Sequence, residues 1–198
     1  MSQLLDNLNQ ELSRLPGVGQ RTAMRLAMHI LKKPVEEARF LSDAIISFRE
    51  NIHFCSQCGN LSDEDVCEIC LDSHRDASTL CIVEQVADLL SIEKTHQYNG
   101  LYCVLGGVIS PIHNIGPSDL RMDLVHEAVK RGMVKEIIIA LPASIEGETT
   151  LYYIKNSLQY ASGISFTTIA RGIGFGDELE YVDEHTITQA LLNRRELR

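Results

Sequence analysis

The sequence predicts a multidomain α/β protein in which a small helical part precedes a part built on a mainly parallel sheet. Two patterns support this class. Apolar residues recur at helical spacing up to about residue 51, and from about residue 79 short β-branched runs alternate with helical segments. Four cysteines lie between the two parts. The chain has 198 residues, of which 44% are hydrophobic, so it is long enough to bury a core.

The N-terminal part is predicted to contain three short helices. Residues 2–13 place leucines on one side of a helix, and the run Leu15-Pro16-Gly17-Val18-Gly19 ends it. A second helix is predicted over 20–31. A third is predicted over 34–51, because Pro34 suits the first turn and an apolar stripe follows it.

The second helix carries opposite faces of different character. Its basic face consists of four residues spaced i, i+4, i+8 and i+11: Arg21, Arg25, His29 and Lys32. Its other face is expected to be buried and consists of Ala23, Leu26, Ala27 and Ile30. Gly17 and Gly19 permit a tight turn before the helix, whose free N–H groups then suit a phosphate. The pattern indicates a helix-hairpin-helix motif that grips the DNA backbone without reading sequence, and the alternative is a surface turn with solvated charges.

Four cysteines form a candidate metal site: Cys55, Cys58, Cys67 and Cys70. Their spacing is C-x2-C-x8-C-x2-C, and each C-x2-C pair can bind a metal from one tight turn. The prediction is one structural zinc ion per chain, because four thiolates leave no open coordination position. Two disulfides or an iron–sulfur cluster are the alternatives. Cys81 and Cys103 lie within apolar runs and are expected to be buried, inert thiols.

The α/β part is predicted from four β-branched runs and the helical segments between them. The strands are expected at residues 80–83, 101–105, 136–140 and 164–169. The helices are expected at residues 85–94, 118–131 and 146–160, with a short one at about 186–195. This alternation is typical of parallel strands joined by helices.

Four acidic residues are expected near one edge of this sheet: Glu84, Asp88, Glu146 and Glu148. Glu84 ends the first strand and Glu146 follows the third, and the carboxyl ends of parallel strands gather on one edge. One interpretation is a Mg²⁺ site for nucleotidyl transfer. The other is that acids at helix starts offset the helix dipole.

Charge and hydropathy indicate which ligands and which cellular location to expect. The net charge is −9, yet the stretch from Leu12 to Val35 contains five basic residues and no acidic one. This asymmetry indicates an anionic ligand on the N-terminal part rather than a broadly basic DNA coat. No apolar run approaches the roughly 20 residues that span a bilayer, and no secretory signal is recognisable, so we expect a cytoplasmic protein that does not bind membranes.

In this order, the motifs resemble the RecR family of bacterial recombination mediators over nearly the whole chain. The resemblance is carried by the glycine turn with Arg21 and Arg25, the four cysteines and several later runs. These later runs are Ile82-Val83-Glu84, Gly100–Gly107, Glu146-Gly147-Glu148-Thr149 and Glu178-Leu179-Glu180-Tyr181. The chain departs from the family pattern at Ala140-Leu141-Pro142-Ala143 and at Gly176-Asp177.

The resemblance implies four domains and a role in gap repair. The domains are a helix-hairpin-helix domain (1–53), a zinc finger (54–77), a Toprim domain (78–172) and a C-terminal assembly segment (173–198). It implies a non-enzymatic clamp, a homodimer or homotetramer, that binds double-stranded and gapped DNA without sequence preference. Gly17, Gly19, Arg21 and Arg25 would contact that DNA. Working with RecO and RecF, the clamp would help RecA replace single-strand-binding protein.

The resemblance also gives the four acids a different role from metal binding. Catalytic Toprim enzymes carry an Asp-x-Asp pair after a later strand, whereas this chain has Ala140-Leu141-Pro142. The acids Glu84, Asp88, Glu146 and Glu148 are therefore expected to face RecO. A Mg²⁺-dependent nuclease or primase-like enzyme and a purely structural zinc scaffold are the competing hypotheses. The zinc segment is expected to brace the basic hairpin domain and the α/β domain.

Overall fold

The computed structural model describes residues 2–170, 172–174 and 176–194. The chain forms two compact units, Met1–Ile52 and His53–Arg198. The zinc-binding cysteines and the sheet therefore belong to the same unit.

The first unit contains the three predicted helices: α1 (Gln3–Ser13), α2 (Gln20–Leu31) and α3 (Val35–Asn51). Their ends agree with the predictions to within one residue, because Pro16, Gly17 and Pro34 interrupt the helical pattern. Helix α2 packs on α1.

The burial of α2 differs in part from the prediction. Ala23 and Ala27 are buried, and Ile30 is half-buried. Leu26, which we expected to be buried, is 37% exposed, so that prediction was wrong. A unit of only three short helices is too small to bury many side chains, so only the small residues Ala23 and Ala27 of α2 are buried. Helix α3 has no buried residue.

The second unit contains a four-stranded parallel sheet in the order β4-β3-β5-β6. The strands are β3 (Asp76–Val83), β4 (Gly100–Val104), β5 (Glu136–Ala140) and β6 (Ser165–Thr168). The helices between them are α5 (Val86–Glu93), α6 (Met122–Lys130) and α7 (Ile145–Ser157). In register, Ile82 pairs with Cys103 on one side and with Ile139 on the other. The mainly parallel sheet predicted from the sequence is confirmed.

Alternate residues of the central strand β3 serve two cores. Leu80 and Ile82 pack in a cluster that includes residues of α6 and α7. Cys81 and Val83 point into a second cluster that includes Leu89 of α5. Both faces of β3 are thus covered, as expected for a parallel sheet.

Cys81 and Cys103 lie in neighbouring strands and are buried, as the sequence predicted. Burial among apolar side chains raises the pKa of each thiol to about 12. They are therefore protonated and unreactive at neutral pH.

Several short elements differ from the predictions. The cysteine segment contains a two-stranded antiparallel hairpin, β1 (His53–Phe54) with β2 (Leu61–Ser62), and a one-turn helix α4 (Glu68–Leu71). The helix predicted from residue 118 begins at Met122, because a 3-10 turn over Pro117–Asp119 precedes it.

The last helix, α8, spans Glu184–Leu192, whereas we predicted 186–195. It begins earlier because the Asp183 side chain accepts a hydrogen bond of 3.0 Å from the Thr186 N–H, which caps the helix. Residue 195 of the predicted helix lies outside the described residues.

Candidate metal centre and binding surfaces

One tight turn and a short helix bring the four cysteines together. The N–H of Gly59 donates to the carbonyl of Cys55 (2.9 Å), and the N–H of Cys55 donates to the carbonyl of Asn60 (2.7 Å), so the first C-x2-C pair curls into a compact turn. Cys67 precedes α4 as its N-cap residue, and Cys70 lies within that helix. The second pair is thereby held on one helical turn.

The sulfur positions match a tetrahedral metal shell. Sγ of Cys55 lies 3.9 Å from Sγ of Cys70, and Sγ of Cys58 lies 3.5 Å from Sγ of Cys67. All four atoms lie within 4.8 Å of one another. A tetrahedron with Zn–S bonds of about 2.3 Å has S–S edges of about 3.8 Å. These separations are far too long for disulfide bonds, so the two-disulfide alternative is wrong.

The electrostatics of the thiols also favour a bound cation. The Cys67 sulfur shares a hydrogen bond with Cys58, which lowers the pKa of Cys67 and raises the pKa of Cys58. A proton on one sulfur therefore stabilises the thiolate on its neighbour. A divalent cation replaces such shared protons and lets all four sulfurs be thiolates.

The cysteine cluster is attached directly to the sheet. The N–H of Val104, at the end of β4, donates a 2.7 Å hydrogen bond to the carbonyl of Cys58. Gly59 has φ +73°, and a Cβ there would lie only 2.8 Å from the carbonyl oxygen of Val104. Only glycine combines this left-handed backbone with so close an approach.

Arg121 strengthens this attachment, although we did not predict it from the sequence. Its guanidinium lies 4.1 Å from the ring centroid of Phe54 in β1, a cation–π contact. Its backbone N–H donates to the carbonyl of Leu105 (3.0 Å). No local pattern marks Arg121, because its contact with Phe54 joins segments 67 residues apart in the sequence.

The glycine turn of the first unit has the geometry that its sequence suggests. Gly17 has φ +77°, a conformation that favours glycine, and the N–H of Val18 donates to the carbonyl of Leu15 (3.0 Å). Gly19 is the N-cap residue of α2 with φ −78°. Of the two glycines, only Gly17 is therefore required by its backbone conformation.

The basic face of α2 is open to solvent. Its four residues, Arg21, Arg25, His29 and Lys32, are all exposed. Among the described residues, neither Arg21 nor Arg25 forms an ion pair with a side chain of this chain. The two guanidinium groups are thus free to meet an external anion.

The structure brings two of the four predicted acids into one cavity. Glu84 and Glu146, both half-buried, line a cavity of about 390 Å³ at the carboxyl edge of the sheet. Hydrogen bonds from its own backbone N–H and from Ser144 hold the pKa of Glu146 below its usual range.

The other two acids lie apart from this cavity. Asp88 accepts a 2.8 Å hydrogen bond from the N–H of Gln85, which caps α5, and it lines a neighbouring cavity of about 350 Å³. Glu148 lines a groove beside Tyr152 and Lys155 of α7. Asp88 thus has a structural task as a cap in addition to any binding role.

The loop between β4 and α6 supplies further residues to the cavity of Glu84 and Glu146. Its closure depends on Ser110 and Ile115, whose backbones exchange two hydrogen bonds of 3.0 and 2.9 Å. The Ser110 hydroxyl lies 2.9 Å from Nδ1 of His113, and both residues line the cavity. Neither residue was predicted from the sequence to belong to a site.

Four family models match successive parts of the chain, and three of them are described as RecR domains. They are described as RecR helix-hairpin-helix (residues 5–48), RecR four-cysteine zinc finger domain (52–72), Toprim domain (78–170) and RecR C-terminal (172–195). Together with the sulfur geometry, the second match identifies the metal as one structural zinc ion. The cysteines need no outside ligand to complete the shell.

Curated proteins from several bacteria are similar to this chain. Recombination protein RecR of Flavobacterium johnsoniae is 50% identical over 193 residues, which cover 98% of this chain and 93% of that protein. RecR of Porphyromonas gingivalis is 47% identical with the same coverage, and RecR of Cytophaga hutchinsonii is 44% identical over 98% of this chain and 94% of that protein. Within the described residues, no helix is long and apolar enough to cross a membrane.

Proposed function

This chain belongs to the RecR family of recombination proteins, and from that membership we propose that it is a DNA clamp that acts without sequence preference in gap repair. A recombination and repair role follows from the family itself. The finer proposal is that the protein works in the cytoplasm with RecO and RecF and helps RecA replace single-strand-binding protein. We also propose that its four segments, 1–53, 54–77, 78–172 and 173–198, divide these tasks.

The observation that carries the proposal is the unpaired basic face of α2 behind the Gly17 turn. Arg21 and Arg25 are exposed and form no ion pair among the described contacts. Phosphate oxygens suit such guanidinium groups and the free N–H groups at the start of α2. Gly17 and Gly19 allow the DNA backbone to approach the turn closely, and contacts of this kind carry no sequence information.

Assembly into a homodimer or homotetramer would strengthen these weak contacts. Several subunits that bind one DNA molecule together gain affinity through avidity. Exposed apolar side chains support self-association: Phe40, Ile45 and Phe48 of α3 are 72%, 61% and 60% exposed. Apolar patches of this kind mark protein–protein contacts.

The acidic edge of the sheet is proposed to bind RecO. Glu84 and Glu146 share one cavity, and Asp88 lines the neighbouring one. We keep Glu148 in this partner-binding set, although it lines a separate groove. Carboxylates at one edge would steer a basic partner surface toward it.

We propose that the Toprim part is not an enzyme. Strand β5 ends at Ala140 and is followed by Leu141 and Pro142, so the Asp-x-Asp pair of catalytic Toprim enzymes has no counterpart there. Phosphoryl transfer with two metal ions requires several converging carboxylates. The partner role of Glu84 and Glu146 therefore fits this edge better than catalysis.

A salt series of duplex binding tests the DNA contacts. Replacing Arg21 and Arg25 together by alanine should weaken binding to all sequences alike. It should also reduce the salt slope by about 0.9 for each phosphate that the variant no longer neutralises. Arg39→Ala is the matched control, since Arg39 is an arginine on α3 of the same unit, outside the basic face of α2. An unchanged affinity and slope in the double variant would refute the assignment.

A further inference from the structure

His113 is the one residue in the described lining of the acidic cavity that can become positively charged. Glu84, Glu146 and His113 all line this cavity at the carboxyl edge of the sheet, and no lysine or arginine does. His113 is exposed and ends the 3-10 turn Pro111–His113 of the loop between β4 and α6. Imidazole is the side chain that ordinarily gains or loses its charge between about pH 5 and pH 8. Protonation of His113 would therefore cancel one of the two negative charges of the cavity.

The loop holds the imidazole of His113 in place at the cavity. Its Nδ1 lies 2.9 Å from the hydroxyl of Ser110, which is only 3% exposed, and its backbone N–H donates to the Ser110 carbonyl (3.1 Å). The N–H of the preceding residue, Ile109, donates a 2.9 Å hydrogen bond to the hydroxyl of Thr150, a fully buried residue of α7. A hydroxyl can donate to a neutral imidazole and accept from a charged one. Protonation thus changes the charge of the ring without releasing the ring from Ser110.

The two carboxylates of the cavity come from different elements. Glu84 directly follows β3, whereas Glu146 lies in the first turn of α7. Hydrogen bonds from the backbone N–H of Glu146 and from Ser144 are the main reason why the pKa of Glu146 lies below its usual range, and the charge of His113 lowers it further. His113 and Glu146 therefore interact electrostatically within the cavity.

The other charged residues on the surrounding elements have contacts of their own. Asp88 caps α5, Glu148 lines a separate groove, Asp119 accepts a 2.8 Å hydrogen bond from a backbone N–H, and Arg121 stacks on Phe54 and touches Gly106 of the lining. Carboxylates and guanidinium groups ordinarily keep their charges near neutral pH. A change in the charge of this cavity near neutral pH therefore comes from His113.

We propose that His113 belongs to the partner-binding site and that its charge controls how tightly the cavity holds a basic segment of the partner. With a neutral imidazole, the two carboxylates attract a lysine or arginine side chain. With a protonated imidazole, the ring repels that side chain and offsets one carboxylate, so the complex is weaker. This inference rests on the proposed binding of RecO at the acidic edge. It adds a further residue and a pH dependence that the acids alone do not supply.

Calorimetric titration of RecO into the protein at about pH 6 and about pH 8, at constant ionic strength, tests the proposal. Wild-type binding should be about three- to fivefold weaker at the lower pH, the size of effect expected for one exposed charge pair. Binding near the midpoint between these pH values should also release protons, because the complex favours neutral His113. The heats measured in buffers of different ionisation enthalpy give the number of protons released.

Three variants of histidines isolate the contribution of His113. His113→Gln is always neutral and should lose most of the pH dependence and of the proton release. His113→Arg is always charged and should bind weakly at both pH values. His185→Gln is the matched control and should keep the pH dependence of the wild-type protein, since His185 is an exposed residue of α8 outside the lining of this cavity. Zinc content and circular dichroism verify that each variant is folded.

Glu84→Gln and Glu146→Gln, titrated in the same way, distinguish this inference from the proposed function. If both carboxylate variants bind RecO more weakly but His113→Gln keeps the full pH dependence, the inference is overturned and the role of the acids stands. If both carboxylate variants bind RecO as tightly as the wild-type protein, the proposed role of the acids is wrong and the inference falls with it. Weaker binding by the carboxylate variants, together with loss of the pH dependence in His113→Gln, supports the inference.

Discussion

The backbone N–H of Val104 donates a 2.7 Å hydrogen bond to the carbonyl oxygen of Cys58. This bond joins a zinc-binding residue to the end of strand β4 in the sheet. Two residues further along the chain, the N–H of Gly106 donates a 2.8 Å hydrogen bond to the carbonyl of Glu84. The zinc centre and the acidic edge are therefore connected through three consecutive residues of one strand end, 104–106.

The first prediction concerns zinc. Cys67→Ser should lose most of its zinc, because three thiolates and a hydroxyl bind zinc much more weakly than four thiolates. The Cys58 turn should then loosen, and the amide of Val104 should exchange its hydrogen faster than in the wild-type protein. Metal analysis and hydrogen exchange measure the two effects.

Cys81→Ala is the matched control for the zinc prediction. Cys81 is buried in β3 and is not one of the four clustered cysteines, so this variant should keep its zinc and lose only the stability that a small core cavity removes. If Cys67→Ser lost its zinc while exchange at Val104 stayed unchanged, the coupling between the two sites would be wrong.

The second prediction concerns Gly59. Gly59→Ala should lower the free energy of unfolding by more than the roughly 1–2 kcal/mol of a left-handed alanine, because its Cβ also meets the Val104 carbonyl oxygen at 2.8 Å. Gly132→Ala is the control, since Gly132 has a similar φ of +77° and open space around it. If urea unfolding showed that the two variants lose the same free energy of unfolding, the contact between the new Cβ and the Val104 carbonyl oxygen would add no measurable strain, and the prediction would be wrong.

Much of the fold could be predicted because local signals were strong. Helices α1 to α3 were placed to within one residue by Pro16, Gly17 and Pro34. The β-branched runs located the four strands of the sheet, although β3 begins at Asp76, four residues before the predicted start at residue 80. The β1–β2 hairpin could not be predicted, since each strand has two residues and alternation needs more to be visible. Its shape comes from the turn of the first cysteine pair, in which the N–H of Cys55 donates to the carbonyl of Asn60.

The candidate sites were predicted less completely than the fold. Parallel topology correctly suggested that Glu84 and Glu146 share an edge. Glu148 lies elsewhere because residues i and i+2 of a helix face different directions, and Asp88 turns back to cap α5. His113 and Arg121 were not predicted, since the contact of His113 with Ser110 and that of Arg121 with Phe54 depend on how the chain folds rather than on sequence spacing.

The third prediction concerns catalysis. Purified protein incubated with DNA and Mg²⁺ or Mn²⁺ should leave the DNA intact, because Glu84 and Glu146 lack the further acids that phosphoryl transfer needs. Gel electrophoresis of the products checks this. Cleavage by the wild-type protein that disappears in Glu84→Gln would instead establish a nuclease.

The fourth prediction concerns the pH dependence of stability. Arg75 donates two hydrogen bonds to Glu93 (2.8 and 2.7 Å), and the hydroxyl of Tyr102 donates a third (2.7 Å). The Arg75 hydrogen bonds are the main reason why the pKa of Glu93 lies below its usual value. Because the folded pKa is lowered, the stabilisation is fully present above the unfolded value of about 4.3. It is lost as the pH falls through the folded pKa.

Glu93→Gln should therefore destabilise the protein by about 2 kcal/mol at pH 7, because it leaves the mostly buried Arg75 with only the more distant carboxylate of Asp72, 3.7 Å from its Nε, as counter-charge. The difference from the wild-type protein should shrink as the pH falls through the lowered pKa of Glu93, where this carboxylate becomes neutral. Urea unfolding between pH 3 and pH 7 measures both effects. Glu127→Gln, which changes an exposed carboxylate with no ion pair among the described contacts, should show neither. A Glu93→Gln loss that stayed constant across this range would mean that packing or hydrogen bonding, rather than the charge of Glu93, stabilises the contact with Arg75.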